Sequence, residues 1–383
     1  MKRKVFKMLI TIGLCSMFMT GCGQADTSGV EEEAAQMVTE AVTETQEYLD
    51  QEVVEKEEEN VNQEAEPAED AENEAKNENA DVPCVRIGGL KGPTSMGMAQ
   101  MLAEAADGNT GFTFEFTMGK SADEIAPLLL TGKLDMAAVP CNLASVLYNK
   151  SEGKVVTAAV NTLGVLSIVT KDSEVKSFED LKGKTIYATG QGTTPEYSLR
   201  YLLTQNGMDP DKDIQIEWKS EATEIVSLMQ ETEGEVIAML PQPFVTVAMT
   251  QIEGLEIAID FNKEWNNVTE ESMLVTGVLV TTKDYIEQNE DTLKLVLEAY
   301  EKSVDFVNNQ PEEASVLIEQ LDIVKAPIAQ KAIPNCHITF MTGELMKKCV
   351  NGYLQVLYEQ NPESVGQNVP GDDFYYESKE GNE

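Results

Sequence analysis

The chain has 383 residues, with 28 Lys and Arg against 67 Asp and Glu and a formal charge of −39. That is enough length for two domains, and the wrong charge for nucleic acid, whose phosphates require a basic surface. One histidine and six scattered cysteines leave little for a zinc site or imidazole catalysis, and no enzyme signature is visible. After the first two dozen residues no apolar run is long enough to span a bilayer.

Lys2, Arg3 and Lys4 precede an apolar run over 8–18, the n- and h-regions of a secretory signal. The run closes on Met19-Thr20-Gly21-Cys22. That resembles the lipobox of bacterial lipoproteins, with Met19 where Leu is usual. It implies a signal peptide over 1–22 and lipidation of Cys22, the first residue of the mature protein. Residues 23–82 are low-complexity and acidic, with runs such as Glu31-Glu32-Glu33 and hardly a cation beyond Lys56 and Lys76. Like-charge repulsion and a shortage of large apolar groups oppose a packed core there. As a flexible coil, roughly sixty such residues reach on the order of 45 Å.

From Cys84 the composition turns globular. A strand over 85–90 runs into a glycine turn and a helix over 95–106, with Met98, Met101, Leu102 and Ala105 on one face and Thr94 or Ser95 as N-cap. Unpaired first-turn amides and the helix dipole suit such a turn to a polar or anionic ligand. Residues 112–116 alternate as a strand does. Ser121-Ala122-Asp123-Glu124 reads as a capping box opening a helix that contains Pro127, expected to disturb it, and ends at Gly132. A strand over 136–140, a helix over 142–149 and strands over 155–160 and 165–170 complete an α/β unit with a largely parallel sheet.

About one hundred residues on, the order repeats. Residues 185–188 form a strand, and Gly190-Gln191-Gly192-Thr193-Thr194-Pro195 a second glycine turn, with Thr194 as N-cap and Gly207 as the stop. Residues 214–218 alternate, Ala222-Thr223-Glu224-Ile225 echoes Ala122-Asp123-Glu124-Ile125, and 236–241 echoes 136–140. Five elements at one offset point to duplication. A strand over 257–260 follows, and 273–282 mirrors 166–171, so the two read as crossing strands. Helices are expected over 285–289, 290–308, 311–320, 325–333 and 343–359. Thr292, Leu295, Val296, Ala299, Ser303 and Phe306 share one surface of the second. Lobe 1 is then 84–170 with 273–362, lobe 2 is 171–272, and 363–383 is an acidic, loosely held tail.

Ligands bind sheets of this kind at the carboxyl ends of the strands, and two lobes joined by two strands can close on a solute between them. The expected cleft is lined by 90–96, 118–122, 140–142, 190–194, 219–222 and 241–243. Its candidate ligand-binding residues are Lys91, Gly92, Pro93, Thr94, Ser95, Met96, Met118, Lys120, Cys141, Asn142, Gly190, Gln191, Gly192, Thr193, Thr194, Lys219 and Gln242. Lys91, Lys120 and Lys219 either point into water or pair with an anionic group on the solute. Phe244, Tyr197 and Trp265 are the aromatic candidates. His337 lies in the helical C-terminal part, outside this cleft, and reads as a packing or surface residue. Cys84, Cys141, Cys336 and Cys349 allow three disulfide pairings or free thiols, and free thiols are expected.

Ile87-Gly88-Gly89-Leu90-Lys91-Gly92-Pro93-Thr94-Ser95-Met96, Ala122 to Leu129, Gly132 to Ala137 and Phe178-Glu179-Asp180-Leu181-Lys182-Gly183-Lys184 carry a family resemblance over about 84–359. The chain resembles the extracytoplasmic solute-binding lipoproteins of bacterial ABC transporters. It is most like the group that binds nitrate, sulfonates, taurine and pyrimidine precursors of thiamine. The resemblance implies a two-lobed α/β fold of the type II periplasmic-binding-protein class, each lobe a mixed sheet flanked by helices. It implies hinge closure on a small solute, delivery to an ABC permease, a monomer held at the outer face of the cell membrane by its lipid, and no cofactor or metal. In this family Gly190 to Pro195 would meet the ligand from the second lobe. Gln242-Pro243 stands where many relatives carry an acidic residue, which argues against a bound cation. The alternatives on the same fold are an enzyme resembling pyrimidine synthases or menaquinone-pathway enzymes, and a solute-sensing lobe for a membrane receptor.

Overall fold

The structure, a computed structural model, describes residues 82–119 and 121–378. The signal and lipobox over 1–22, the tether as far as 81, Lys120, and the tail beyond 378 lie outside the described residues.

The first lobe opens with β1 (Cys84–Leu90), α1 (Pro93–Met96), α2 (Ala99–Ala106), β2 (Thr113–Gly119), α3 (Ala122–Leu130), β3 (Met136–Pro140), α4 (Cys141–Lys150) and β4 (Val155–Thr162). The second contains β5 (Leu166–Lys171), β6 (Thr185–Thr189), α5 (Thr194–Gln205), β7 (Gln215–Lys219), α6 (Ala222–Glu231), β8 (Val236–Pro241), α7 (Phe244–Gln251), β9 (Glu256–Asp260) and α8 (Phe261–Val268). The chain returns through β10 (Gly277–Thr282), α9 (Lys283–Asn309), α10 (Pro311–Gln320), α11 (Ala326–Ala332), β11 (Ile338–Met341) and α12 (Gly343–Gln360).

Two sheets result, ordered β11-β4-β10-β3-β1-β2 and β7-β6-β8-β5-β9. In the first, β1 lies parallel to β2 and β3, and β10 runs antiparallel between β3 and β4. In the second, β6 lies parallel to β7 and β8, and β5 runs antiparallel between β8 and β9. The five-strand order is therefore the same in both halves, and β5 and β10 occupy equivalent places. The expected boundary at 170 is corrected by this pairing. Strand β5 belongs to the second sheet, and the chain crosses between lobes at 163–165. An apolar strand buried on both faces looks alike in either sheet, and only its hydrogen-bonded neighbours decide.

Several local expectations are also corrected. The helix over 95–106 is broken into α1 and α2. Ser303 Oγ donates to the Gly97 carbonyl at 2.7 Å and accepts from the Gln100 and Met101 amides at 3.1 Å, replacing helical bonds at the break. The N-cap of α1 is Gly92, at φ +126°, a backbone region that L side chains rarely adopt, so neither Thr94 nor Ser95 takes that place. The N-cap of α5 is Thr193, one residue before the expected Thr194. Strand β11, which holds the edge of the first sheet against β4, falls in the gap between the helices expected over 325–333 and 343–359, where no strand was expected. The break inside α9 comes at Asn289, as expected, but Leu295 is 41% exposed and Leu293, Leu297 and Tyr300 share the buried face.

The tail is docked rather than loose as far as it is described. Val365, Phe374 and Tyr375 are buried, and the Tyr376 amide donates to the Thr157 carbonyl at 2.9 Å. Asp373 accepts from Lys283 Nζ at 2.7 Å and from Tyr148 OH. The Lys283 and Tyr148 bonds hold the Asp373 carboxyl below its ordinary range, and the same carboxylate pushes the Tyr148 phenol up to about 12. A depressed carboxyl contributes stability that is present above its unfolded pKa, about 3.9, and is lost as pH falls through the lower folded value. Asp373→Asn should therefore speed amide hydrogen exchange over 370–378 at neutral pH, and that difference from wild type should shrink as pH falls below the ordinary carboxylate range. Equal exchange at neutral pH would show that the strap is held by Phe374 and Tyr375 alone.

Candidate functional site

The crossing segment is gripped from both lobes. Leu163 N donates to the His337 carbonyl at 3.1 Å. His337 Nδ1 lies 2.6 Å from the Gly164 carbonyl, which can only accept, so that nitrogen carries the proton. Gly164 N donates to Asn262 Oδ1 at 3.3 Å, and His337 Nε2 is 3.9 Å from Asp260 Oδ2. His337 itself sits at φ +46°, in the left-handed region. Its ring thus serves the hinge and is not among the residues that line the cleft.

Two equivalent corners face each other beside this hinge. In the first lobe Pro140 ends β3, and the next amide, Cys141 N, donates to the Thr276 carbonyl at 3.0 Å, just before β10. In the second lobe Pro241 ends β8, and Gln242 N donates to the Val165 carbonyl at 2.9 Å, just before β5. Proline cannot donate, so the ladder stops there and the following amide turns to the crossing segment. Pro140, Thr276, Pro241 and Val165 all line one cavity of about 460 Å³ between the lobes. The helix starts of α3, α4 and α5 contribute Ala122, Asp123, Asn142, Thr193, Thr194 and Pro195. Ser198, Leu143, Leu166 and Leu274 complete the wall. Three helix N-termini at one cavity offer orphan amides and positive dipole ends to a polar group.

Of the expected ligand residues, Asn142, Thr193 and Thr194 line this cavity. The first glycine turn stands next to it: the Thr94 carbonyl accepts from Asn161 Nδ2 at 3.3 Å, and Thr94 packs on Gly277, the neighbour of Thr276. Lys91, Gly92, Pro93, Ser95, Met96 and Met118 are not among the lining residues, nor are Gly190, Gln191, Gly192, Lys219 and Gln242. Ser95 and Met96 are fully buried, and Gly192 N is taken by Glu196 Oε2 at 2.7 Å. Cys141 keeps its amide at the cleft but buries its thiol in the core, and burial pushes that thiol up. The lysines do not converge either. Lys91 Nζ pairs with Asp322 at 2.8 Å, and Lys219 Nζ lies 5.7 Å from the centre of the Tyr187 ring and 4.0 Å from Glu224.

The aromatic candidates are committed elsewhere. Trp265 is fully buried against Tyr201 and Tyr353, with its indole N–H on Ser272 at 2.9 Å. Tyr197 OH donates to the Gly192 carbonyl at 2.9 Å and accepts from Asn361 at 2.9 Å, which ties the second glycine turn to the far end of α12. Phe244 packs against the second lobe's core. The sequence reading missed Asp123, Val165, Thr276, Ser198 and the leucines; strand pairing places Val165 and Thr276, and Ser198 comes from the second turn of α5. The mirrored strands over 166–171 and 273–282 were the one signal pointing at Val165 and Thr276.

The geometry defines a two-lobed α/β protein with a solute-sized cavity at its hinge. The chain belongs to the NMT1/THI5-like family, whose model matches residues 109–314. Among solved structures it is similar to an ABC transporter protein of Parabacteroides distasonis, at 24% identity, TM-score 0.65, and coverage of 78% of this chain and 100% of that one. It is also similar to the periplasmic aliphatic sulphonate binding protein SsuA of Escherichia coli, at 16% identity, TM-score 0.61, and coverage of 77% and 92%. These likenesses place the fold among periplasmic binding proteins. A curated relative, "Putative binding protein YtlA" of Bacillus subtilis (strain 168), is 24% identical over 194 residues, which are 49% of this chain and 54% of that protein. The chain spans about half the length of that curated relative.

The crossing leaves no room at Gly164. A methyl there would stand 2.6 Å from Leu274 Cδ2 and 3.0 Å from Asn262 Cβ. Gly164→Ala should destabilise the protein by about 1–3 kcal/mol, the usual range for overpacking. Urea unfolding with an unchanged slope would measure it, and an unaltered midpoint would show that Leu274 yields freely.

Proposed function

We propose that this chain is an extracytoplasmic solute-binding lipoprotein, anchored through Cys22, that captures a small organic solute between its lobes and delivers it to the permease of an ABC importer. The observation that carries the reading is the cavity of about 460 Å³ flanked by the Pro140–Thr276 and Pro241–Val165 corners. A solute seated there touches both lobes and both crossing segments at once. Its binding energy therefore favours the closed arrangement over any open one. Family membership and the solute-binding proteins among the structural neighbours support capture over catalysis, and the one histidine of the chain is occupied at the hinge.

No described helix is long and apolar enough to cross a membrane. That is compatible with attachment by lipid alone, with the acidic tether setting the distance. The protein acts as a monomer. The solute has a polar end held by the starts of α3, α4 and α5, and the anionic group expected from the sequence now draws its support from those helix ends rather than from Lys91 or Lys219.

A thermal-shift screen of inorganic anions, sulfonates, carboxylates, vitamins and pyrimidines tests the reading. A cognate solute at about one hundred times its Kd stabilises the native state by about 2.7 kcal/mol, which raises Tm by on the order of 5 °C. A flat response across the screen would favour a sensory or enzymatic role for the fold.

A further inference from the structure

We propose that Ser198 and Gln242 are specificity-determining donors of this cleft, selecting a solute whose inner end carries exposed oxygen acceptors. The proposal rests on the capture reading above and names its ligand class. Ser198, on the second turn of α5, lines the cavity and is fully buried, and its Oγ makes no hydrogen bond among the described residues. Gln242 follows the cavity-lining Pro241 and is 4% exposed. Its backbone amide is spent on Val165, and its side-chain Oε1 accepts from Thr246 Oγ1 at 2.9 Å. That leaves Nε2, with two protons, as a buried donor without an acceptor.

A third orphan stands behind them. Tyr353, fully buried on α12, which packs against α5, carries a hydroxyl that also has no hydrogen-bond partner among the described residues. Buried donors are nearly always satisfied, and leaving one unsatisfied carries a desolvation penalty. Here Ser198 lines the inter-lobe cavity, and Gln242 directly follows its lining residue Pro241. A carboxylate, sulfonate or carbonyl oxygen has the lone pairs to satisfy more than one of them. Among the described residues lining the cavity, Asp123 carries the only charge, and it lies exposed on the rim. Recognition of the acceptor therefore falls to neutral dipoles and helix ends, while Asp123 offers the competing attraction for a cationic head.

Four compounds with one tail separate these cases: hexanoate, hexanesulfonate, hexanol and hexyltrimethylammonium, tested by thermal shift and calorimetry on the full-length chain. The wild-type protein should bind hexanoate or hexanesulfonate in preference to the ammonium compound. Ser198→Ala should leave the ligand-free Tm unchanged or raised, because it removes an unsatisfied donor, while Gln242→Met removes the unsatisfied Nε2 together with the Thr246 bond and should lower it only slightly. Each should weaken the acceptor ligand by about tenfold, the worth of one hydrogen bond. Gln242→Glu, of the same shape but without donors, should abolish binding. Undiminished affinity in the variants overturns the donor assignment while the capture reading stands. A ligand-free Tm several degrees lower in both Ser198→Ala and Gln242→Met overturns it as well, since the two groups would then be bonded within the fold. Binding of the ammonium compound alone assigns selectivity to Asp123. Binding of none of the four overturns the acceptor class, and the wider solute screen decides capture independently.

Discussion

A strand that leaves one lobe and at once completes the sheet of the other is the constraint from which the rest of this architecture follows. Only 163–165 separate β4 from β5, and the returning strand β10 is inserted between β3 and β4 in the same way. Each lobe therefore contains, beside its own parallel strands, one antiparallel strand that carries the crossing chain. Cys141 N and Gln242 N bind that chain at equivalent points, so the floor of the cleft and the hinge are built from the same few peptides. Any displacement of Pro140 or Pro241 reaches the hinge through a single hydrogen bond at each corner.

Much of this was legible before any coordinates. Strand β3 and helix α10 have the bounds that periodicity and punctuation gave them, and the break at Asn289 falls between the helices expected over 285–289 and 290–308. The duplication was readable because glycine turns, alternating strands and proline-ended strands recur in one order, and those signals are local. Membership of β5 was not readable, because a strand buried on both faces carries no mark of which sheet will pair with it. The split between α1 and α2 was hidden for a related reason. It depends on Ser303, more than two hundred residues away in sequence, reaching the peptide groups around Gly97.

The outline of the cavity was legible in the sequence, and the side-chain pairings around it were not. Strand ends and helix starts do meet at one cavity, which Asn142, Thr193 and Thr194 line. The lysines at those ends seemed available because pairing with Asp322, or stacking on Tyr187, is invisible until the chain is folded. Cys141 failed in the same manner: a residue at the first position of a helix can give its amide to the cleft and its side chain to the core. Apart from Asp123 on the rim, polarity in the described lining of this cavity resides in peptide groups, hydroxyls and the Asn142 carboxamide.

The placement of β10 also bears on how such a chain acquires its shape. Every strand of the second sheet lies between Leu166 and Asp260, in one uninterrupted stretch, whereas β3 and β4 of the first are bridged only by residues 277–282. A polypeptide emerging amino end first thus presents an unfinished sheet until its later portion arrives. The contiguous lobe is the one able to consolidate early, and the discontinuous lobe closes around a gap that it cannot fill by itself.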